Sequence, residues 1–179
     1  GIESVDTEVI RQNDLKCSLE DSKFAIEVVN KFCRKRVNGI PKLLPGLNFI
    51  GGLTGETENT FKKNFEFLKT ILDEDLLLRR INIRQVITYN KTKLSRSDVR
   101  QKNKKSTENR FFYYRDKIRK EIDEPMLRKT FPCGSILQNV ILEKKSDGYY
   151  LGRQFGSYPL TVKIPCTLKK FQLFSDMDI

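Results

Sequence analysis

The sequence predicts an α/β chain: consecutive βαβ units with parallel strands, followed by a small all-β barrel. Three observations carry that expectation. Apolar residues recur at helical spacing over residues 18–37 and again over 57–73, and a short apolar run or a β-branched alternation follows each. Strand, helix, strand, helix, strand implies right-handed crossovers and a parallel sheet. From Pro132 the texture changes to short alternating segments divided by turns, the pattern of a small closed barrel.

Each element has its own justification. Ser18 caps the first helix, with Asp21 standing in for the Glu of a capping box. Leu19, Ala25, Ile26, Val29 and Phe32 form its apolar stripe, and Lys31, Arg34, Lys35 and Arg36 suit the negative end of its dipole. Asn38-Gly39 stops it, and Pro41 and Pro45 punctuate a loop. Leu47-Asn48-Phe49-Ile50 is a short buried strand closing on Gly51-Gly52. Thr57 caps the second helix, with Thr60 at its third position; Phe61, Phe65, Leu68 and Leu72 carry it to Asp73. Residues 80–88 alternate as a strand, and residues 91–103 are a polar loop.

A third helix begins at Ser106 or Thr107, with Phe111, Tyr114, Ile118 and Ile122 on one stripe, and Pro125 ends it. Strands are then expected over 135–142, 149–155, 160–164 and 171–174, with Asp147-Gly148 as a hairpin turn. The chain divides into residues 1–94, a basic linker and helix over 95–131, and a barrel over 132–179.

Composition narrows the function. The 179 residues are 38% hydrophobic and 32% charged, which suits a folded, soluble chain. No run approaches the ~20 apolar residues that cross a bilayer, and no signal-peptide pattern opens the chain. A cytoplasmic location without a membrane partner is expected. The first residue is Gly1, and the sequence reads as a piece of a longer polypeptide.

Histidine is absent, which removes Ser–His–Asp and Cys–His catalysis. Cys17, Cys33, Cys133 and Cys166 are scattered without a CxxC pair. A zinc site would need all four thiols together; free thiols in a reducing cytoplasm are the alternative. The net charge is +11, and residues 79–129 hold 17 Lys/Arg against 6 Asp/Glu, so that one segment carries the whole excess. Such a distribution points to a polyanion, RNA in particular, or to a solvated basic helix.

The phrase Gly51-Gly52-Leu53-Thr54-Gly55-Glu56-Thr57 joins a strand to a helix. Glycines there let the backbone approach a flat ligand, and a helix N-terminus favours anionic groups. The final Lys-Ser/Thr of a P-loop is missing.

In context, "GIES", "VDTEVIRQNDLK", "LNFIGGLTGET" and "RRINIRQV" resemble, in order and spacing, the second half of the radical S-adenosylmethionine partial barrel. The likeness covers residues 1–94. It is nearest to the branch of the tRNA methylthiotransferases and an archaeal group of iron–sulfur oxidoreductases. Thr54 and Lys91 depart from the Pro and Gly of that branch. The resemblance implies the second half of a partial (β/α)6 TIM-type barrel.

It also implies that Glu3 and Ser4 meet the ribose or methionine part of S-adenosylmethionine, and that Ile50 and Gly52 pack near its adenine. Glu56 belongs to the same strand-end phrase, and Lys16 stands near a residue that meets the cofactor carboxylate. Asn82 and Arg84 share one face of the sixth strand; Arg84 would meet an anionic group or form a salt bridge inside the barrel. The 4Fe-4S cluster of that family is held by C-x-x-x-C-x-x-C, which this sequence lacks. The cluster ligands would lie in the N-terminal half of the parent barrel, and this piece alone is not expected to be catalytic.

Residues 132–179, through "PCGSILQNVILEKKSDGYYLGRQFGSYPLTVKIP", resemble a TRAM domain, an OB-like RNA-binding barrel. Tyr149, Tyr150, Arg153, Gln154 and Tyr158 could stack bases and hold phosphates, or the tyrosines could be core. Lys102, Lys104, Lys105 and Arg110 extend that basic surface. The reading that follows is part of a radical S-adenosylmethionine enzyme acting on RNA, possibly tRNA. The alternatives are an RNA-binding module without cofactor, or a radical enzyme of a small metabolite or protein.

Overall fold

A computed structural model describes residues 2–37, 39–86, 104–155, 160–167 and 177–178; for 104–108 and 177–178 it describes the backbone alone. The expected loop over 91–103 and strand over 171–174, with Lys102 and Tyr158, lie outside the described residues.

An extended segment at residues 2–5 leads into helix α1 (Thr7–Gln12), which the sequence reading passed over. Asp6 is its N-cap, accepting from Glu8 N. Helix α2 (Leu19–Cys33) begins with the expected capping box: Ser18 Oγ accepts from Asp21 N at 3.0 Å, and Asp21 Oδ2 accepts from Ser18 N at 3.2 Å. It ends four residues before the expected boundary. Arg36–Val37 (β1) instead pairs antiparallel with Ile40–Pro41 (β2), across a turn in which Gly39 has φ +76°. Arg36 fastens this hairpin to the far end of the chain, donating to the carbonyls of Thr130 and Lys129, each at 2.8 Å.

Strand β3 (Gly46–Gly51), helix α3 (Glu58–Asp73) and strand β4 (Arg80–Gln85) form a βαβ unit, and β3 and β4 are parallel, Leu47 opposite Ile81 and Phe49 opposite Ile83. Thr57 N donates to Thr60 Oγ1 at 3.0 Å where α3 starts. A third paired strand was expected at the N-terminus. The extended segment instead makes one rung, Ile50 N to Glu3 O at 2.9 Å. The next donor, Val5 N, is taken by Asn64 Oδ1 of α3 at 2.9 Å.

The two faces of this sheet differ. Leu47, Phe49 and Ile81 are buried on one face, within the same core as Phe61, Phe65 and Leu68 of α3. Asn48, Arg80 and Arg84 are exposed on the other.

Helix α4 (Lys104–Ile118) runs into a π-helical turn (Arg119–Asp123) and then helix α5 (Glu124–Thr130). Pro125 therefore does not end the helix. It sits in the first turn of α5, where a missing N–H costs least, directly after the widened turn. Phe61 of α3 stacks on Tyr114 of α4 with ring centroids 5.4 Å apart.

The expected strand over 135–142 is broken at Asn139, whose φ is 56°. Its first half, β5 (Ile136–Leu137), pairs antiparallel with β9 (Met177–Asp178). Strands β6 (Val140–Ser146), β7 (Tyr149–Gln154) and β8 (Thr161–Pro165) form an antiparallel meander. The Asp147-Gly148 turn joins β6 to β7, with Gly148 at φ +76°. Among the described residues neither β sheet closes on itself. One hydrophobic cluster runs from Ile2 through α3, β3, α4 and Met126 to Leu137, Val140 and Ile164.

Candidate functional site

The exposed face of β3 and β4 gathers several of the expected site residues. Asn48 stands opposite Asn82, and Asn82 Nδ2 donates to Asn48 Oδ1 at 2.6 Å. Ile50 stands opposite Arg84. The backbone of Glu3 joins them through its bond from Ile50 N. Alternation puts these side chains on the face away from α3, because Leu47, Phe49 and Ile81 occupy the other. The result is a polar shelf with one half-buried apolar residue, Ile50.

At the C-terminal end of β3 the loop over residues 52–56 folds onto itself. Gly52 has φ +87°, and its N–H donates to Glu56 Oε2 at 2.9 Å. Asn13, just after α1, holds the loop by both amide atoms: Nδ2 donates to Thr54 O at 2.8 Å, and Oδ1 accepts from Thr54 N at 3.1 Å. Asn13 was not singled out from sequence, since its partner is 41 positions away. The loop is thus pre-shaped, with Glu56 engaged by the backbone it caps.

Two expected residues stand apart from the shelf. Ser4 is buried; its Oγ accepts from Asp6 N at 3.2 Å and contacts Asn64 Oδ1 at 3.4 Å. Lys16 is exposed between α1 and α2, outside this set of bonds.

Asp6 is a second residue that sequence reading missed. Burial pushes its carboxyl upward, but hydrogen bonds from Lys63 Nζ (2.8 Å) and Thr60 Oγ1 (2.6 Å), with the Glu8 N–H, hold it below the usual carboxylate range. It fastens α1 to α3 beneath the strand ends.

The metal question is answered by the donor set. Cys17, Cys33 and Cys166 are half-buried, Cys133 is exposed, and none is paired. Among the described residues no three His, Cys, Asp or Glu side chains come together as a metal-binding group. These residues do not fit an iron–sulfur cluster.

The antiparallel meander resolves the tyrosines. Alternation along β7 sends Tyr149, Leu151 and Arg153 to one face and Tyr150, Gly152 and Gln154 to the other. Tyr150 packs on the core with Val162 and Leu142. Gly152 is walled in on that inner face: a Cβ there would lie 2.7 Å from both Ile164 and Val140. Gln154 is half-buried on the same side.

Tyr149 and Arg153 face outward with Lys163 and Lys144, and Lys163 Nζ lies 5.1 Å from the Tyr149 ring centroid. Arg153 Nε donates to Glu143 Oε1 at 2.5 Å. Glu143 sits at the register shift in β6, and that bond holds its carboxyl below the usual range. On α4, Arg110 lies 3.9 Å from Glu58. Lys104 and Lys105 form the first turn of that helix.

No protein-family model matches the chain. Among the described residues no helix is long and apolar enough to cross a membrane. The chain is similar to an uncharacterised protein of Methanocaldococcus jannaschii, with 42% identity over 181 residues, covering 100% of this chain and 33% of that protein. It is also similar to an uncharacterised protein of Archaeoglobus fulgidus, with 40% identity over 163 residues, covering 90% of this chain and 30% of that protein. The chain spans about a third of the length of the curated relatives it matches.

Proposed function

We propose that this chain is the C-terminal part of a radical S-adenosylmethionine iron–sulfur enzyme that acts on RNA. The observation that carries the reading is the polar shelf of Asn48, Ile50, Asn82 and Arg84 on a parallel β3–β4 pair, facing away from the helices. Ligands of parallel α/β sheets collect at the carboxyl ends of the strands, where Ile50, Gly52 and Arg84 lie. In this reading Ile50 supports the adenine, and the Arg84 guanidinium pairs with the methionine carboxylate or a substrate anion. Asn82 and the Glu3 backbone orient the ribose side. The pinned loop over 52–56 fixes the rim.

The cofactor pair, when bound, supplies a 5′-deoxyadenosyl radical that abstracts hydrogen. The cluster would be held by other segments of the parent, since the cysteines here do not fit it. The outward Tyr149, Arg153 and Lys163 would meet RNA by stacking and phosphate contact.

The parent polypeptide, reconstituted anaerobically with iron and sulfide, should cleave S-adenosylmethionine to 5′-deoxyadenosine and methionine under reduction. Arg84→Ala in that parent should weaken S-adenosylmethionine binding about tenfold, the worth of one charge-assisted bond. A parent that takes up no cluster and makes no 5′-deoxyadenosine would overturn the reading. An RNA-binding module without cofactor has one observation of its own, the outward basic and aromatic face of β7; it predicts RNA affinity with no S-adenosylmethionine binding.

A further inference from the structure

A cleft of about 410 Å3 opens at the N-terminal end of β4, the opposite end of that strand from the Gly52 loop. Its cations come from three elements: Arg79 and Arg80 lead into β4, Arg119 opens the π-helical turn, and Arg153 lies near the end of β7. All four are arginines, although lysines outnumber arginines 21 to 13 along the chain. A guanidinium presents a planar fork that grips two oxygens of one phosphate, whereas an ammonium is a point charge. Two of the forks are already oriented by carboxylates, Arg119 by Asp123 and Arg153 by Glu143, each at 2.5 Å. Leu127 and Leu160 add an apolar flank on which a ribose or base can rest.

We infer that this cleft seats an internal phosphodiester of an RNA strand, whose next bases run onto the outer face of β7. The inference rests on the RNA reading above and gives it a specific seat. Two observations choose the ligand. The four arginines, set against Asp123, Glu124 and Glu143, leave one formal positive charge, which matches a phosphodiester rather than the nearly double charge of a terminal phosphate. Arg153 also belongs to both surfaces, lining the cleft and sharing the outward face with Tyr149. A strand leaving the cleft therefore meets an aromatic ring on which a base can stack.

The test is fluorescence anisotropy of a short single-stranded RNA with the whole chain at several salt concentrations. Arg80→Gln and Arg119→Gln should each weaken binding about tenfold. Each should also reduce the log–log salt slope by about 0.7. Arg80→Lys should remain weaker than wild type although charge is kept, and Lys69→Gln, exposed on α3, should match wild type. Arg80 is exposed and carries the test should Arg119→Gln melt early.

RNA bound equally by Arg80→Gln and Lys69→Gln would overturn this seat while leaving the RNA reading standing. No RNA binding by wild type would overturn both. Displacement by polyglutamate as readily as by RNA would assign the cleft to acidic peptides and overturn the inference. Tighter binding of a 5′-phosphorylated oligonucleotide than of its unphosphorylated form would overturn the choice of an internal phosphodiester.

Discussion

Asn30 and Leu77 hold each other at both ends. Asn30 Nδ2 donates to Leu77 O at 3.0 Å, and Asn30 Oδ1 accepts from Leu77 N at 2.8 Å, with Ile26 O also taking a bond from Nδ2. Both residues are buried, so the side-chain amide replaces a neighbouring strand for a stretch of backbone that has none. Asn13 does the same for Thr54, and Asn64 takes one donor from Val5.

Replacing Asn30 with Leu should therefore be severe. It leaves the Leu77 N–H and C=O buried without partners, at about 1–3 kcal/mol for each. Asn30→Asp keeps the acceptor but turns a carboxylate toward two carbonyls, and should also destabilise. Urea denaturation at neutral pH measures both. A midpoint unchanged in Asn30→Leu would show that the contact contributes nothing.

Acid should loosen the junction of α1 and α3 early. The Asp6 carboxyl is held below its usual 3.8, with burial opposing and the Lys63, Thr60 and Glu8 N–H bonds prevailing. A depressed carboxylate contributes stability that is present above the unfolded pKa and lost as pH falls through the folded one. Stability should thus hold from pH 7 to about 4 and fall below it. In Asp6→Asn that part of the fall should vanish, and the variant should be less stable at pH 7. Thermal melts across the range test this; parallel profiles for the two proteins would count against it.

Gly51 is needed for space rather than for backbone freedom. A Cβ there would lie 2.6 Å from Phe111 Cδ2 and 3.0 Å from Cε2, and Phe111 is buried. Gly51→Ala should cost about 1–3 kcal/mol by overpacking. Combined with Phe111→Leu, the loss should be smaller than the sum of the two single losses, because the shorter side chain clears the clash. Strict additivity in a double-mutant cycle would rule out the steric account.

The chain alone should not hold an iron–sulfur cluster. Its four thiols lie apart, and none belongs to a grouped set of ligands among the described residues. Anaerobic incubation with iron and sulfide, followed by desalting, should leave no stoichiometric iron and no visible charge-transfer band. A stable brown holoprotein would contradict the assignment of the ligands to other segments.

Local chemistry was the legible part of this fold. Ser18 with Asp21, Thr57 with Thr60, and Asp147-Gly148 each act within four residues, and each falls where the sequence places it. Strands β3 and β4 followed from apolar content and alternation. What escaped depends on distant partners: Asn13 with Thr54, Asn64 with Val5, and the arginines of the cleft, drawn from three elements. No periodicity announces such contacts. The division of the β7 side chains was legible only in part, because alternation says that Tyr149 and Tyr150 part company but not which one meets the core. Pro125 misled for a physical reason: its usual effect as a helix breaker was absorbed by the turn before it.

That π-helical turn has a further consequence. Each α-helical residue advances the helix by about 100°, so a segment that holds one extra residue sets the rotation of everything after it. Deleting one residue within Arg119–Asp123 would restore regular hydrogen bonding and yet swing α5 around by about that angle. Met126 and Thr130, now inward, would turn toward solvent, and the carbonyls of Lys129 and Thr130 would leave the Arg36 guanidinium. Residue count in this short stretch acts as an angular setting, which ties the aim of the whole C-terminal sheet to a single insertion.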